Sequence, residues 1–190
     1  MKRKLLIITI IVIVLGIILS GCFEDNNQKQ DNQNKGLVTE SVLNLLLTIE
    51  DLPENCSEQY KGKDYTSEFS RYPQYKPIEY YKIEFSKGNI SNQDEYEIIT
   101  CELNKFDSIE KAEIAYNTTI EYIITTGNYE VVEESINIIG NESKALTKEG
   151  YREVLTFRIL NVIGVMSSKN LSFTIELAQI VEQRILDSIN

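Results

Sequence analysis

The chain has 190 residues and a formal net charge of −10, from 19 Lys and Arg against 29 Asp and Glu. Hydrophobic residues make up 42% of it, which is ordinary for a globular protein and too many for a disordered one. It contains no His, the commonest metal ligand and the commonest general base of enzymes. Its acidic balance argues against general binding to nucleic acid, whose phosphates attract cationic proteins. The composition therefore indicates no cofactor, no metal site and no nucleic-acid partner.

The first 22 residues have the layout of an export signal. Three basic residues at positions 2–4 precede an apolar run over residues 5–19, which is shorter than the roughly 20 residues of a membrane-spanning helix. The run ends in Leu19-Ser20-Gly21-Cys22, a branched apolar residue and two small residues followed by a Cys. This motif resembles the lipobox of prokaryotic membrane lipoproteins. The resemblance implies that residues 1–21 form a signal peptide that is removed and that Cys22 receives a lipid.

The alternative is a signal that is kept as an uncleaved membrane anchor. In both cases the positive residues hold the N-terminus inside, so the rest of the chain faces outside the cytoplasm at the cell membrane. After Phe23, the residues up to 36 are only Asn, Gln, Asp, Glu and Lys, with a final Gly. Such a segment cannot bury apolar area, so we predict that residues 22–36 are the lipidated Cys and a flexible polar linker. Residues 37–190 are predicted to form a single domain outside the cytoplasm.

Hydrophobic periodicity predicts three helices in this domain. The first covers residues 37–52 and the last covers residues 171–189, each with apolar side chains at helical spacing. The second covers residues 107–126, with Asp107 as its cap and Gly127 as the residue that stops it.

Alternation of apolar and polar residues predicts six strands. They cover residues 80–87, 96–106, 129–138 and 143–148, and a hairpin over 151–167 that turns at Leu160-Asn161. The element order α-β-β-α-β-β-β-β-α predicts an α+β domain: a mainly antiparallel sheet of about five to six strands packed with two long helices and an N-terminal helix. This order resembles the PsbP-like α/β/α sandwich. The resemblance is one of topology and implies no functional residues.

Two cysteines lie within the predicted domain. If Cys22 carries a lipid, Cys56 and Cys101 are an even pair in an oxidising location, where disulfides persist. A disulfide between them is one hypothesis. Two separate thiols, with Cys101 as a small buried hydrophobe, is the other. The spacing alone does not decide between them, because disulfide formation depends on geometry.

No catalytic residues are predicted. Ser108 and Lys111 form a Ser-x-x-Lys pair at a predicted helix N-terminus, the setting of the nucleophile in penicillin-recognising enzymes. The Ser-Asp-Asn and Lys-Thr-Gly motifs of those enzymes are missing from this chain. Helix capping is therefore the preferred interpretation of this pair. The adjacent Glu133 and Glu134 would point to opposite faces of a strand and would not converge as a glycosidase pair does.

One segment combines aromatic and basic residues. Residues 60–81 hold six of the 11 Tyr of the chain. Tyr offers rigid contact area with a polar tip, and Lys and Arg bind anionic groups. The preferred interpretation is a long loop whose Tyr rings cover the sheet edge and the core, because aromatic side chains usually serve packing, and the alternative is a binding patch. The patch comprises Tyr60, Lys61, Tyr65, Arg71, Tyr72, Tyr75 and Lys76.

The sequence favours a membrane-anchored lipoprotein whose domain is a non-catalytic module that binds a ligand or a protein at the cell surface. Its partners would be the membrane, through the lipid anchor, and an envelope protein or glycan. Two alternatives stay open: a cell-envelope hydrolase, and a structural envelope protein without a ligand.

Overall fold

The computed structural model describes residues 36–63, 76–88, 96–132 and 138–189, which belong to one unit, Gly36–Asn190. The helices in these ranges are α1 (Val42–Leu45), α2 (Ile109–Gly127) and α3 (Leu171–Ser188), with a 3-10 turn at Ile49–Asp51. The strands are β1 (Cys56–Gly62), β2 (Glu79–Lys87), β3 (Glu97–Lys105), β4 (Glu130–Val132), β5 (Glu142–Thr147), β6 (Glu153–Ile159) and β7 (Val162–Ser168). No helix within the described ranges is long and apolar enough to cross a membrane.

The seven strands form one antiparallel sheet with the order β1-β2-β3-β7-β6-β5-β4. Strands β1 to β3 are consecutive neighbours, as are β4 to β7, and the pairing of β3 with β7 joins the two runs. Helix α2 lies between β3 and β4 in sequence, so it carries the chain from the middle of the sheet to its edge. The predicted α+β class is confirmed, but the sheet has seven strands instead of five or six.

Helices cover the sheet on both faces. On one face, Phe85, Leu103 and Phe157 pack in a core that includes residues of α3 and of the segment before β1. On the other face, Ile163 of β7 packs in a smaller core with Tyr116 of α2. Side chains along a strand point alternately to the two faces, so β7 contributes to both cores. The sheet is the middle layer of a helix–sheet–helix arrangement.

The predicted helix over residues 37–52 is wrong in extent. The structure has a single helical turn, α1, and the backbone is already extended at Leu46 (φ −61°, ψ 157°). Leu45, Leu46 and Leu47 are each at most 3% exposed. The side chains of three consecutive helical residues span about 200° around the helix axis. This angle is wider than the apolar stripe that a surface helix packs against a core. Leaving the helix allows the chain to bury all three.

Strand β1 is the strand that the sequence did not predict. Five of its seven residues are exposed, because it lies at the edge of the sheet, and its sequence therefore lacks the alternation of a half-buried strand. Strand β4 covers only the start of the strand predicted over residues 129–138, of which 133–137 lie outside the described residues. The other predicted strands agree with the observed ones to within two residues at each end.

The N-cap and the last residue of helix α2 each lie one residue after the predicted positions. Ser108, instead of Asp107, is the N-cap, and its hydroxyl accepts a hydrogen bond from a backbone N–H of the first turn (3.2 Å). Gly127 is the last helical residue, and Asn128 takes the left-handed conformation (φ 54°) that Asn tolerates. A Cβ at position 127 would lie 2.8 Å from the ring of Tyr129. The glycine thus allows this ring to lie against the helix end.

The strands give the domain two ends, and we name each after one residue. At the Asn161 end, the side chain of Asn161 is only 2% exposed and holds the start of the described chain. The backbone N–H of Val38 donates to Asn161 Oδ1 (2.7 Å), and Asn161 Nδ2 donates to the carbonyl of Phe106 (2.8 Å). Leu160-Asn161 is the turn between β6 and β7, as predicted, but Leu160 takes the positive φ (54°). The Asn161 side chain serves as a buried clamp.

The Tyr129 end is the opposite one. It carries the C-terminal end of α2, the turn between β5 and β6, and the end of β7. Eight residues of nearly continuous strand separate Asn161 from Lys169, which is about 25 Å. The Tyr129 end therefore lies at the end of β7 opposite the Val38–Asn161 contact.

Candidate functional site

The predicted aromatic and basic patch lies only partly within the described residues. Tyr60 and Lys61 lie on the edge strand β1 with exposed side chains, and Lys76 is exposed ahead of β2. The other members, Tyr65, Arg71, Tyr72 and Tyr75, lie outside the described residues, as does Cys22. The binding patch and the lipidation site stay predictions.

Cys56 and Cys101 are both free thiols in the structure. Cys56 begins β1 opposite Lys87, whereas Cys101 lies in β3 opposite Ile83. They are two strands apart across the sheet and four residues apart along it, about 16 Å, which a disulfide cannot span. The structure thus has two separate thiols in place of the disulfide. Burial raises the pKa of Cys101 to about 12, so this thiol is an unreactive part of the core.

Ser108 and Lys111 both have structural partners at the start of α2. The Ser108 hydroxyl caps the helix, and Lys111 Nζ forms an ion pair with Asp107 (2.5 Å). These contacts support the capping interpretation of the Ser-x-x-Lys pair. Across the described part of the chain, no group of three His, Cys, Asp or Glu side chains is placed to hold a metal ion.

A pocket of about 350 Å³ opens at the Tyr129 end, between the last turns of α2 and the sheet. Its floor is Val154 of β6 and Val165 of β7, and Tyr122 and Tyr129 line it from the helix and from the connection to β4. The buried residues of α2 end at Ile120, so the helix leaves these two valines only half-covered. The volume lies within the range of small-molecule sites, ~300–1,000 Å³. The remaining lining residues are Ile123, Thr126, Gly127 and Ser167.

The pocket lining contains hydroxyl groups but no Asp, Glu, Lys, Arg or Cys. Among the hydroxyls, Ser167 Oγ shares a hydrogen bond of 2.6 Å with Thr100 Oγ1 of the neighbouring strand. Aromatic and aliphatic walls with few polar groups are typical of sites that hold an apolar or ring-shaped group. Such a lining offers neither a strong base nor a metal ligand.

Lys148 stands between two tyrosine rings beside this pocket. Its Nζ lies 4.0 Å from the ring centroid of Tyr151 and 5.9 Å from that of Tyr129. It also donates to the carbonyl of Gly127 (2.8 Å), at the negative end of the α2 dipole. Burial raises the pKa of Tyr129, although Arg152 nearby acts to lower it. The Tyr129 phenol is therefore protonated at neutral pH and can donate a hydrogen bond.

Two further hollows flank the turn between β5 and β6. One, of about 480 Å³, is lined by Gly150, Tyr151, Arg152 and Lys169. The other, of about 370 Å³, is lined by Asn128, Glu130, Thr147, Lys148 and Glu149. The first hollow therefore has two cationic side chains in its lining, and the second has acidic ones.

The residues that line the pocket and hollows at the Tyr129 end were not predicted from the sequence. They come from a helix end, a turn and a strand end, and the spacing between these segments matches no motif. One signal was present: Tyr151 follows Gly150 in a turn, where an aromatic side chain has no core to face, and it is 62% exposed.

No protein-family model matches the chain, and a search of curated proteins gives no match. Among solved structures, the chain is similar to the extracellular domain of PknH from Mycobacterium tuberculosis. The two share 13% sequence identity with a TM-score of 0.45, over 77% of this chain and 93% of that one. At that distance the likeness carries no conclusion about function.

Proposed function

We propose that this protein is a lipid-anchored, non-catalytic binding module that faces outside the cytoplasm and holds its ligand at the Tyr129 end. The anchor is inferred from the lipobox at Leu19-Ser20-Gly21-Cys22. The ligand site is inferred from the pocket beneath the last turns of α2. The ligand is an envelope component, a glycan or a protein, that presents a ring or an apolar group to this pocket.

The pocket lining is the observation that carries the proposal. Val154 and Val165 give it an apolar floor, and Tyr122 and Tyr129 add rings with polar tips. Side chains of this kind bind through contact area and a few hydrogen bonds. Hydrolysis by carboxylates would need two of them converging on the substrate, and the lining has none.

The position of the pocket agrees with a tethered module. The described chain begins beside Asn161, and Val165 and Ser167 of the pocket lining lie four and six residues farther along β7, about 13–20 Å away. The pocket therefore lies toward the end of the strands opposite the Val38–Asn161 contact.

Photo-cross-linking in intact cells tests this proposal. A photoreactive amino acid would replace Tyr122 in the full chain, and a second variant would carry it at Glu176, which is exposed on α3 on the opposite face. We expect a discrete adduct from position 122 that is absent from position 176. Equal, scattered adducts from both positions would overturn the proposal and favour a structural protein without a ligand.

A further inference from the structure

We infer that the Tyr129 end recognises an acidic glycan, whose carboxylate binds Arg152 and whose sugar rings lie on Tyr151 and in the adjacent pocket. This inference rests on the proposed function, because it names the class of ligand that the site takes. Three features of the hollow lined by Gly150, Tyr151, Arg152 and Lys169 support it.

The first feature is the availability of Arg152. Within the described part of the chain, its guanidinium forms no ion pair, although it is only partly exposed. Among nearby carboxylates, Glu153 Oε1 accepts from Thr147 (3.0 Å) and Glu97 Oε1 accepts from the backbone N–H of Lys169 (2.6 Å), while Glu153 Oε2 is buried without a hydrogen-bond partner among the described residues. A planar guanidinium offers paired N–H groups that match a carboxylate in two parallel hydrogen bonds.

The second feature is the exposed ring of Tyr151. The side chain is 62% exposed, and Lys148 Nζ stands 4.0 Å from its centroid, on one of its two faces. The turn that carries the ring is closed by a hydrogen bond from the Tyr151 N–H to the carbonyl of Lys148 (3.0 Å). A fixed ring with one free face is a platform for the apolar C–H face of a sugar, while its hydroxyl can bond to the sugar's own hydroxyls.

The third feature is that the aromatic and cationic side chains at this end form one continuous row. Lys148 lies within cation–π distance of both Tyr129 and Tyr151, so the two rings belong to one surface. Arg152 is close enough to Tyr129 to affect it electrostatically. A row of two rings with a cation between them and a second cation beside them fits successive sugar units, with one acidic group at Arg152.

The chemistry of the whole chain separates this ligand from other anions. A nucleic acid presents a phosphate at every step and would need many cations, whereas this chain has a net charge of −10. An isolated carboxylate among hydroxyl-bearing rings needs only the one or two cationic groups that the hollow has. An acidic peptide offers the carboxylate but not the ring hydroxyls that the phenols of Tyr129 and Tyr151 can bond.

Binding measurements on the full chain in detergent test the inference. The probes are polygalacturonate oligosaccharides, neutral galactose oligosaccharides of equal length, and polyglutamate. We expect the wild type to bind polygalacturonate at least about tenfold more tightly than the neutral oligosaccharide, since a hydrogen-bonded ion pair is lost with the latter. Binding equal to that of polyglutamate would overturn the glycan assignment in favour of an acidic peptide.

Two matched variants locate the site. Arg152→Gln should weaken polygalacturonate binding at least about tenfold and leave the neutral oligosaccharide unaffected. Lys111→Gln removes a partly exposed cation at the start of α2, at the Asn161 end, and should change neither affinity. The thermal unfolding midpoint of each variant checks that the fold is intact. Loss with Lys111→Gln but not with Arg152→Gln would place the site at the start of α2 and overturn the inference.

The inference and the proposed function can fail separately. If polygalacturonate does not bind while the adduct at position 122 persists, the acidic-glycan assignment falls and the binding module stands. If the adduct is also absent, both fall.

Discussion

The buried side chain of Asn161 joins two segments of the fold that are far apart in sequence. It lies in a turn, where Asn usually supplies backbone freedom, yet its neighbour Leu160 takes the left-handed conformation. Its amide instead satisfies Val38 and Phe106, two backbone groups from segments far apart in sequence. Buried backbone groups need such partners, because leaving one unpaired costs about 1–3 kcal/mol.

Replacing Asn161 with Ala should lower the free energy of unfolding by about 3 kcal/mol, because the Val38 N–H and the Phe106 carbonyl lose their buried partner. Urea unfolding of the full chain measures this. Asn44→Ala is the matched control, since its side chain bonds Glu40 at the exposed surface, and it should cost less than about 0.5 kcal/mol. Equal losses in the two variants would contradict the clamp.

A second polar group at the Asn161 end predicts a pH dependence. Burial acts to raise the pKa of Glu79, but hydrogen bonds from Lys105 and Ser41 outweigh it, and the pKa is lowered from its ordinary value of 4.5. A lowered pKa in the folded state contributes stability above the unfolded-state pKa, and this contribution is lost as pH falls through the folded-state value.

Glu79→Gln should therefore reduce stability at neutral pH and flatten its decline below about pH 5. The free energy of unfolding of both proteins, measured from about pH 7 to about pH 3, checks this. Parallel curves over that window would show that the Lys105 pair (2.7 Å) does not contribute in this way.

Among the elements, β7 occupies the central position of the sheet. It joins the two runs of strands and contributes to the cores on both faces of the sheet. Opposite its Gly164 lies Phe157 of β6, whose ring occupies the space where a side chain at position 164 would be. The glycine is thus required by the close approach of an aromatic ring.

Gly164→Ala should destabilise the protein by about 2 kcal/mol, because the new Cβ would lie 2.1 Å from Phe157 Cζ. Phe157→Leu shortens the side chain at that point. In this background, the cost of Gly164→Ala should fall by more than half, as a double-mutant cycle of unfolding free energies would show. Additive losses of unfolding free energy would show that Gly164→Ala does not act through a clash with the Phe157 ring.

The sequence pattern predicted the elements whose packing imposes a regular spacing of apolar residues. It missed the elements whose packing imposes no such spacing. Helices α2 and α3 and the central strands each turn a regular stripe to a core, so their periodicity was visible. Strand β1 is exposed along most of its length and has no such stripe. The segment before it buries Leu45, Leu46 and Leu47 in succession, a pattern that belongs to neither a helix nor a strand.

On the scale of the whole molecule, the candidate site could not be predicted because it is assembled by topology. Tyr122, Tyr129, Tyr151 and Arg152 meet only because α2, β5 and β7 all end at one side of an antiparallel sheet. The binding patch that the sequence pattern indicates lies in a contiguous segment, residues 60–81. A contiguous cluster can be recognised from the sequence. A site built from the ends of three separate elements can be recognised only when the order of the strands in the sheet is known.

Membrane attachment is the prediction that concerns the whole molecule. In the proposed function, Cys22→Ser removes the lipid acceptor, so the protein should move from the membrane fraction to the soluble fraction if the signal is otherwise cleaved. Cys56→Ser is the matched control and should stay with the membrane, because Cys56 is a free thiol within the domain. Retention of Cys22→Ser in the membrane would favour the uncleaved anchor.

The contact between Asn161 and Val38 has a mechanical consequence. The hollow at Arg152 and Lys169 lies at one end of β7, and Asn161 immediately precedes the other end. If a ligand is held at that hollow while the chain ahead of Gly36 is fixed, tension passes from Val38 through the Asn161 amide into β7. Strand β7 is hydrogen-bonded to β3 and β6 along its length, so the load shears many bonds at once instead of peeling them singly. A pull on the ligand would detach residues 36–38 before it opened the sheet.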